Sequence, residues 1–543
     1  MRGLMMDYQL TIPTILRRAE TLFGNKEIVT RLPDKSIHRY TYKDFAKRTR
    51  KLAVALQKLG VNQGDRVATL SWNHYQHLEA YFAMPCMGAI VHPLNLRLNP
   101  GDLSYIVNHA EDKIIIVDQV LLPLFEKFKS TVNPSKVIVI PQLNEPLPEG
   151  YLNYEDVVAS GDESQFIPFE GDENTAAFLC YTSGTTGKPK GVLYSHRSLM
   201  LHSVAFLLNC VGTGTFEQDV LLPIVPMFHA SAWGFPYSCA FAGATQVFPG
   251  PYLDAESLLQ LFESEKVTQT AGVPTVMMSV LNVLDTDPHK YKLCLRSIAI
   301  GGSAAPRFLV KSFDERYGIK VLHAWGMTET SPLGSTAVIT TKMEKATKEE
   351  QYDYCMKQGL PSPFVEIRGS NELGFIPWDG STMGELEVRG PWVASSYYRE
   401  NESKEKFTPD GWLRTGDIVT IDEDGCIAIK DRSKDVIKSG GEWISSIALE
   451  NTLMEHPSVL EAAVIAVPDT KWIERPFAYI VPKEGKTILP GELKEFLSGK
   501  FAKFWIPDEY AFITAIPKTS VGKFMKSTLR ERYEKEHPAS TNY

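Results

Sequence analysis

The sequence lacks the signals of several protein classes. Its seven cysteines are scattered and never form a Cys-x-x-Cys pair, which argues against a zinc site and against a disulfide framework. Basic residues are not in excess, since 57 Lys and Arg stand against 65 Asp and Glu, whereas a nucleic-acid-binding protein usually carries a basic excess. The rest of the composition is that of a globular protein without low-complexity segments. We therefore expect a cytoplasmic protein that does not bind nucleic acid.

Long apolar runs are also missing. The longest one, residues 80–91, contains Pro85 and is too short to span a bilayer. The first residues do not have the charged and apolar regions of a signal peptide. The sequence is compatible with peripheral contact with a membrane. A net charge of −8 does not exclude an anionic ligand, because a local site can be positive within an acidic protein.

The segment pattern predicts more than one domain. At 543 residues the chain is too long for a single hydrophobic core. Helical and strand-like segments alternate up to Gly384, which is typical of βαβ units and a mainly parallel sheet. Antiparallel patterns follow, with Asp424-Gly425 as a hairpin turn. Near the end, we predict a helix at 445–456, a strand at 461–467 and a helix at 491–507.

We therefore predict an α/β fold with two domains. The larger N-terminal domain, residues 1–430, contains several subdomains. A hinge at 431–436 leads to a small, mobile α+β domain at 437–543.

A polar loop at residues 181–191, Tyr-Thr-Ser-Gly-Thr-Thr-Gly-Lys-Pro-Lys-Gly, follows the apolar segment 175–180. Its glycines let backbone amides converge, and its hydroxyl groups and lysines add donors and positive charge, which together suit a polyphosphate. It is not a Walker A loop, because Gly184 and Gly187 are too close together and Pro189 follows Lys188. We interpret it as a phosphate-binding loop rather than a plain surface loop. The residues expected to contact phosphate are Thr182, Ser183, Gly184, Thr185, Thr186, Gly187 and Lys188.

Seven segments, in this order along the chain, resemble a single family. Besides the loop, they are VPMFHASAW (225–233), GGSAAP (301–306), AWGMTE (324–329), GWLRTGD (411–417), DRSKDVIKSGGEWIS (431–445) and PKTSVGK (517–523). Together they resemble the acyl- and aryl-adenylating superfamily, which includes acyl-CoA synthetases, firefly-type luciferases and peptide-synthetase adenylation domains. The residues in these segments are most similar to those of bacterial and archaeal long- and medium-chain fatty acyl-CoA synthetases.

The resemblance implies an AMP-forming acid–thiol ligase. In this family a carboxylate attacks the α-phosphate of ATP, pyrophosphate leaves, and the thiol of CoA then displaces AMP. ATP, Mg²⁺ and CoA are implied, together with a medium- to long-chain fatty acid and a homodimeric assembly. Because two anions must meet, positioning and charge neutralisation are expected to carry most of the catalysis.

The resemblance assigns catalytic roles to four residues. Lys523 is expected to bridge the carboxylate and the α-phosphate, and to leave when the small domain rotates about Asp431. Glu329 and Thr185 are expected to hold Mg²⁺, a hard cation that prefers oxygen ligands. His229 is expected to orient the carboxylate or to gate the acyl site.

Further residues are implied in binding the nucleotide and the acid. Trp325 is expected to stack on adenine and Asp417 to accept both ribose hydroxyls. Trp233 resembles a tunnel-gating residue of long-chain synthetases. The other positions expected to line or reach the nucleotide are Ser303, His323, Ala324, Thr328, Arg432, Lys434 and Lys438.

Gly326 bears on the length of the acid. Acetate-specific members of the family have a bulky tryptophan at the matching position, which closes their pocket. A glycine there predicts an open acyl channel, and the variant Gly326→Trp is predicted to shorten the accepted chain.

Three alternatives stay open at this stage. The first is a CoA ligase for an aryl, methylthio or branched acid. The second is a luciferase-like or carrier-loading adenylator, which would need a fused or partner carrier domain, and no residues follow Tyr543 in this sequence to form one. The third is a non-catalytic nucleotide- or acyl-binding protein, which would be expected to lack Lys523 or Glu329, and both are present.

Overall fold

The computed structural model describes residues 1, 3–143, 145–182, 188–209, 214–400, 403–439, 442–518 and 524–537. The chain divides into a larger unit, Met1–Glu366 with Arg389–Leu413, and a smaller unit, Ile367–Val388 with Arg414–Tyr543. The predicted α/β class, with a large first part and a smaller last part, is confirmed. The smaller unit takes in residues 414–430, and the exact domain limits and the hinge at 431–436 stay predictions.

The larger unit contains two sheets flanked by helices. Its strands are β1 (Glu27–Arg31), β2 (Ile37–Thr41), β3 (Arg66–Leu70), β4 (Ile90–Pro93), β5 (Asp112–Asp118), β6 (Lys136–Ile140), β7 (Leu152–Asn153), β8 (Ala176–Tyr181), β9 (Gly191–Ser195), β10 (Val220–Pro223), β11 (Thr245–Phe248), β12 (Gln269–Gly272), β13 (Ser297–Ile300), β14 (Lys320–Gly326), β15 (Leu333–Thr336) and β16 (Leu360–Pro361). Its helices are α1 (Ile12–Phe23), α2 (Tyr42–Lys58), α3 (Tyr75–Cys86), α4 (Pro100–Ala110), α5 (Leu122–Phe125), α6 (Tyr154–Ser160), α7 (His196–Asn209), α8 (Phe235–Ala242), α9 (Ala255–Ser264), α10 (Pro274–Thr286), α11 (Arg307–Tyr317), α12 (Thr341–Glu344) and α13 (Lys348–Met356).

Both sheets are mainly parallel, as the alternating pattern predicts. The seven-stranded sheet has the order β7-β6-β5-β3-β4-β8-β9, and only β8 and β9 pair antiparallel. The nine-stranded sheet has the order β16-β15-β14-β13-β12-β10-β11-β1-β2, with antiparallel pairs only toward its two edges. Apolar side chains of both sheets and of the helices between them form a common core.

The nine-stranded sheet brings three predicted motifs to one edge. The segments 225–233, 301–306 and 327–329 follow the carboxyl ends of β10, β13 and β14. These strands run parallel and lie within four adjacent positions of the sheet. Ligands of such sheets bind beyond the carboxyl ends of the strands, so the topology itself gathers these motifs into one candidate site.

The smaller unit is built on two further sheets. Its strands, some of which start or end one residue inside the larger unit, are β17 (Glu366–Asn371), β18 (Gly374–Phe375), β19 (Gly384–Arg389), β20 (Leu413–Ile421), β21 (Ile427–Arg432), β22 (Ile437–Ser439), β23 (Glu442–Ile444), β24 (Val459–Asp469), β25 (Ile473–Pro482) and β26 (Glu509–Phe512). Its helices are α14 (Ser446–Met454), α15 (Pro490–Ser498) and α16 (Lys526–Glu536). Along β24, Val464 belongs to the core that holds side chains of α14 and α15, and Ile465 to the core that holds Leu529 of α16, as the two-residue period of a strand requires.

The predicted helix at 445–456 and the predicted strand at 461–467 are confirmed as α14 and β24. Local sequence signals also mark the ends of other elements. Helix α2 starts at a capping box of Thr41 and Asp44 and ends before Gly60, whose φ of +90° favours glycine. The hairpin turn joins β20 to β21, and Gly425 there has φ of +82°. The predicted helix at 491–507 is wrong beyond Ser498, where α15 ends. The apolar spacing continues because Phe501 and Trp505 stack with ring centroids 5.5 Å apart and pack on the same core as α15.

Within the described ranges, no helix is both long enough and apolar enough to cross a membrane.

Candidate active site

The predicted phosphate-binding loop, residues 181–191, connects two antiparallel strands rather than a strand and a helix. Strand β8 is buried up to Tyr181, and Tyr181 pairs with Gly191 of β9. The amide of Thr182 donates to the carbonyl of Lys190 at 2.9 Å, and the amide of Lys190 donates to Thr182 Oγ1 at 3.0 Å. The side chain of Lys188 lies 5.0 Å from the ring centroid of Tyr105. The two ends of the loop are thus fixed, which explains why Thr182 and Lys190 flank it.

The carboxylate of Glu329 is buried next to two tyrosines. Its side chain is 6% exposed, and the hydroxyl of Tyr397 donates to Oε1 at 2.5 Å. The carbonyl of Glu329 accepts from the amide of Ala394 at 2.7 Å, and the carbonyl of Thr328 accepts from the hydroxyl of Tyr194 at 2.6 Å. Burial, followed by the charge of Glu329, raises the pKa of Tyr397, so its phenol stays protonated and keeps donating.

Tyr397 joins this carboxylate to the phosphate-binding loop. The ammonium of Lys190 lies 5.0 Å from the ring centroid of Tyr397 and 2.8 Å from Oε2 of Glu400. The same tyrosine therefore contacts the last lysine of the loop and Oε1 of Glu329. Nothing in the sequence singles out Tyr397, since it lies 68 residues from Glu329.

The residues present suit a magnesium ion in part. Among the described residues, Oε1 of Glu329 accepts the hydroxyl of Tyr397 and Oε2 has no donor, which leaves a carboxylate oxygen for a hard cation. Thr185, the other predicted ligand, lies outside the described residues. The described ranges hold no group of three or more His, Cys, Asp or Glu side chains arranged for a metal. A site with one or two protein ligands is what Mg²⁺ on phosphates usually has.

Among the predicted nucleotide residues, His323 and Ala324 lie on β14, and Ser303 follows the neighbouring strand β13. The imidazole of His323 is buried with Nδ1 2.9 Å from the carbonyl oxygen of Met356. Burial lowers its pKa, and hydrogen bonds to the backbone of Met356 and Ser303 oppose that shift. Ser303 is exposed and Ala324 is half-buried. His323 and Ser303 are thus brought together, with a histidine that is neutral near pH 7.

Trp325 packs on β15. A Cβ placed on Gly334 would lie 2.3 Å from Cζ3 of Trp325, so the indole covers the backbone of that glycine. Trp325 is 7% exposed. The stacking of Trp325 on adenine stays a prediction.

Gly326 is required by the backbone around it. A Cβ at this position would lie 1.7 Å from the carbonyl oxygen of Pro332, which accepts hydrogen bonds from the amide of Met327 and the hydroxyl of Thr330. An open acyl channel is therefore not the only explanation for a glycine at this position. It also allows the loop that carries Glu329 to close on itself.

The variant Gly326→Ala tests this explanation. We expect it to lower the free energy of unfolding by about 1–3 kcal/mol, because one added carbon overpacks a site walled by backbone. Thermal unfolding of the purified variant measures this, with Gly491→Ala as control, since a Cβ there meets nothing within 4 Å. Equal stability of the two variants would contradict it. The chain-length effect predicted for Gly326→Trp is interpretable only if that variant folds.

The segment with His229 and Trp233 forms a left-handed turn. Ala230, Ser231, Ala232 and Trp233 have φ between +42° and +55°. Left-handed backbone costs non-glycine residues roughly 1–2 kcal/mol each, and such strain concentrates at functional sites. The half-buried Trp233 rests on the GGSAAP motif, because a Cβ on Gly301 would lie 2.9 Å from its Cη2.

His202 supports both this turn and the segment that follows Glu329, and no sequence motif contains it. A Cβ on Gly234 would lie 2.4 Å from its Cε1, and the amide of Leu333 donates to its Nε2 at 3.3 Å. Burial lowers the pKa of His202 to about 3, so the imidazole stays neutral and accepts that bond. A lone histidine in an apolar helix is usually structural, so only the fold connects it to the site.

Four predicted residues lie in the smaller unit. Asp417 is 2% exposed and pairs with Arg432, whose Nε lies 2.9 Å from its Oδ1, because the two residues face each other across β20 and β21. Lys434 is exposed, and its carbonyl accepts from Arg530 at 3.2 Å. Lys438 is an exposed residue of β22, with its ammonium 5.9 Å from the ring centroid of Trp443.

The remaining predicted residues lie outside the described residues. They are Ser183, Gly184, Thr185, Thr186, Gly187 and Lys523. Their roles stay predictions, as do those of the other site residues.

Comparisons with known proteins agree with this architecture. The family model for AMP-binding enzymes matches residues 16–398, and the model for the AMP-binding enzyme C-terminal domain matches residues 448–523. The chain is 49% identical over 533 residues to a long-chain-fatty-acid–CoA ligase of Thermus thermophilus, covering 98% of this chain and 97% of the relative. It is 42% identical over 539 residues to a 3-methylmercaptopropionyl-CoA ligase of Ruegeria lacuscaerulensis, covering 98% and 99%.

A solved structure gives the same result for the fold. The anthranilate CoA ligase AuaEII in complex with anthranoyl-AMP matches with a TM-score of 0.87 and 26% identity, covering 99% of both chains. The fold and the family match thus define an adenylate-forming enzyme. The chain belongs to the AMP-binding enzyme family. The predicted family and enzyme class, an acid–thiol ligase, are confirmed by these comparisons.

Proposed function

We propose that the protein is an ATP-dependent fatty acid–CoA ligase for medium- to long-chain acids, acting through an acyl-AMP intermediate. The observation that carries this proposal is Tyr397, which contacts the phosphate-binding loop through Lys190 and the carboxylate of Glu329 through its hydroxyl. Phosphate groups at the loop and a cation at Glu329 would then be neighbours. The similarity to a long-chain-fatty-acid–CoA ligase over 98% of this chain supports the choice of acid.

The first half-reaction joins two anions. A carboxylate oxygen of the acid attacks the α-phosphorus of ATP, and the bond to pyrophosphate breaks. In the proposal, the loop residues from Thr182 to Lys188 bind the phosphates, and Lys523 neutralises the oxygens that meet. Mg²⁺ held by Glu329 and Thr185 would supply further charge neutralisation. Such preorganised charges stabilise the transition state more than the ground state.

The second half-reaction uses CoA. Its thiolate attacks the acyl carbon, the bond to the AMP oxygen breaks, and the thioester and AMP are released. We assign ribose binding to Asp417, held by Arg432, and the hinge to residues 431–436 with Asp431 as pivot. Lys434 and Lys438 are assigned to the nucleotide by resemblance only.

The acyl side is assigned to the left-handed turn. Trp233 is the proposed gate, and His229 the proposed group that orients the carboxylate. Because Trp233 rests on Gly301 of a nucleotide motif, a displaced indole would expose that backbone. The strained backbone of residues 230–233 is a place where a second conformation would cost little extra.

A carboxylate panel tests the choice of acid. AMP release with CoA is measured for acetate, hexanoate, octanoate, palmitate, benzoate and 3-methylthiopropanoate. We expect kcat/KM to rise by about fourfold for each methylene until the channel is full, since each buried methylene contributes ~0.8 kcal/mol. A clear maximum for 3-methylthiopropanoate would instead favour the second candidate, which the similarity to the Ruegeria ligase suggests.

The assembly and location implied by the resemblance are also proposals. We propose a homodimer in the cytoplasm. Light scattering of the purified protein measures the oligomeric state. Peripheral membrane contact is tested by sedimentation with anionic vesicles, in which an unbound protein stays in the supernatant.

A further inference from the structure

The smaller unit holds a buried ion pair outside the nucleotide residues. Lys526, the first residue of α16, is 9% exposed, and its Nζ lies 2.6 Å from Oε1 of Glu450 and 2.6 Å from Oγ of Ser446. A cation at the N-terminus of a helix opposes the helix dipole, and burying a charge carries a desolvation penalty. The stability of α16 therefore does not explain a lysine at this position.

The hydroxyl of Ser446 links this lysine to Asp431. Its Oγ accepts from Lys526, so its single proton is free to point at Asp431 Oδ2, 2.6 Å away. The amide of Ser446 donates to the same oxygen at 2.6 Å, and the amide of Arg432 donates to Oδ1 at 2.7 Å. Asp431 is fully buried. An ammonium, a hydroxyl and a carboxylate thus form one directed chain from α16 to the proposed pivot.

Glu450 holds the other side of the lysine. It is 6% exposed and accepts the amide of Val464 at 2.7 Å. Burial raises the pKa of Glu450 to about 7, although the charge of Lys526 acts in the opposite direction. The ammonium is thereby fixed between a helix, a strand and the segment that contains Asp431.

Lys526 also follows Lys523 closely in the sequence. On the two sides of residues 519–523, Lys518 and Phe524 form an antiparallel bridge, and the amide of Met525 donates to the carbonyl of Pro517 at 2.8 Å. One turn into α16, Arg530 forms an ion pair with Asp435. Helix α16 is therefore tied to the segment 431–436 at two places, and Lys526, which makes the first of them, is three residues from Lys523 in the sequence.

We propose that Lys526 is a positioning residue for the adenylation half-reaction, which through Ser446 fixes the start of α16 to Asp431 so that Lys523 moves with the pivot as one body. The inference rests on the proposed function, because it takes Lys523 as the adenylating lysine. A misplacement of about 1 Å at a reacting group can cost roughly 100-fold in rate, so a loosened anchor should be visible in adenylation first.

The first test removes only the linking hydroxyl. Ser446→Ala keeps the pair of Lys526 and Glu450, and Ser445→Ala is the matched control. Ser445 caps the same helix by accepting the amide of Ala448 at 3.1 Å, and its hydroxyl donates to the carbonyl of Lys430, next to Asp431. Its loss therefore also costs stability beside the pivot, but it does not contact Lys526. Full-length proteins are assayed for pyrophosphate exchange into ATP, for transfer of a supplied acyl-AMP to CoA, and for thermal unfolding.

For Ser446→Ala we expect kcat for exchange to fall about tenfold, with the KM for ATP and the transfer rate within about twofold of wild type, because only the placement of Lys523 changes. Ser445→Ala should unfold at a lower temperature and keep the wild-type ratio of the two rates. If Ser446→Ala kept the wild-type ratio of the exchange rate to the transfer rate, the proposal would be overturned.

The second test removes the charge. Lys526→Met alone leaves Glu450 buried without its cation and is expected to fold poorly. Lys526→Met with Glu450→Gln removes both charges and keeps an acceptor for Val464. We expect this double variant to fold but to lose exchange by about 10- to 100-fold, and Lys526→Arg to stay within about threefold of wild type.

The outcomes separate this inference from the proposed function. A double variant that keeps the wild-type ratio, or loses both half-reactions equally, assigns Lys526 a purely structural role and overturns the inference. Failure of the proposed function would appear in a different variant. In that case Lys523→Ala would keep the wild-type rate of pyrophosphate exchange.

Discussion

Replacing Lys523 with alanine is expected to reduce the carboxylate-dependent exchange of pyrophosphate into ATP by about 1000-fold or more. The reason is that its ammonium is assigned to the oxygens of both anions in the transition state, where preorganised charges have their largest effect. Transfer from supplied acyl-AMP to CoA should survive, because the lysine is proposed to have left before the thiolate attacks. Exchange of labelled pyrophosphate and thioester formation measure the two half-reactions separately.

The control for this variant is Lys535→Ala, which removes an exposed lysine in the last turn of α16. It should leave both half-reactions within about twofold of wild type, since surface charges away from a site contribute little. If Lys523→Ala lost both half-reactions equally, Lys523 would not have the separate adenylation role assigned to it.

Replacing Glu329 with glutamine should reduce adenylation by about 100-fold or more and raise the magnesium concentration needed for half-maximal exchange. A neutral amide is a much weaker ligand for a hard cation than a carboxylate, while the carbonyl of glutamine can still accept the hydroxyl of Tyr397. The variant therefore removes the charge with little change in packing. A magnesium titration of pyrophosphate exchange is the measurement.

Tyr397→Phe distinguishes between two roles of Glu329, as a ligand of the metal and as a structural acceptor for the hydroxyl of Tyr397. It removes the hydrogen bond to Glu329 and keeps the carboxylate and the aromatic ring below Lys190. We expect the rate of pyrophosphate exchange to fall by about tenfold or less, because only one hydrogen bond is lost. The magnesium concentration needed for half-maximal exchange should not change. If Glu329→Gln were near wild type while Tyr397→Phe was strongly impaired, the carboxylate would be a structural acceptor rather than a metal ligand.

The strongest local patterns in the sequence were sufficient to predict much of the fold. Helix α2 has a capping box at its start, an apolar face along its length and a glycine just after its end, so local signals mark both of its boundaries. The βαβ alternation predicts a mainly parallel sheet, whereas the division into two such sheets, and the strand order that brings three motifs to one edge, appear only in the structure. The prediction fails at 499–507, where apolar residues at helical spacing pack on the core without a continuous helix.

The candidate site was predictable only where its residues lie in motifs. Glu329 and Thr182 stand in such motifs, and the fold places both at contacts that make sense for their proposed roles. Tyr397 and His202 are far from their partners in sequence, and only the packed chain shows that they support Glu329 and the turn of Trp233. Gly326 does lie in a motif, but its structural role was not predictable. That role depends on the nearby carbonyl of Pro332, which no sequence pattern reveals.

The central claim is that this chain converts an acid into an acyl-AMP. The most direct test is to incubate the purified protein with Mg²⁺, ATP and a series of aliphatic acids in the absence of CoA, and to search for the acyl-adenylate by mass spectrometry. We expect an adenylate of at least one medium- or long-chain acid, which disappears as the acyl-CoA forms when CoA is added. If no acid of the series gave an adenylate, while the protein was folded and bound ATP, the account would be contradicted.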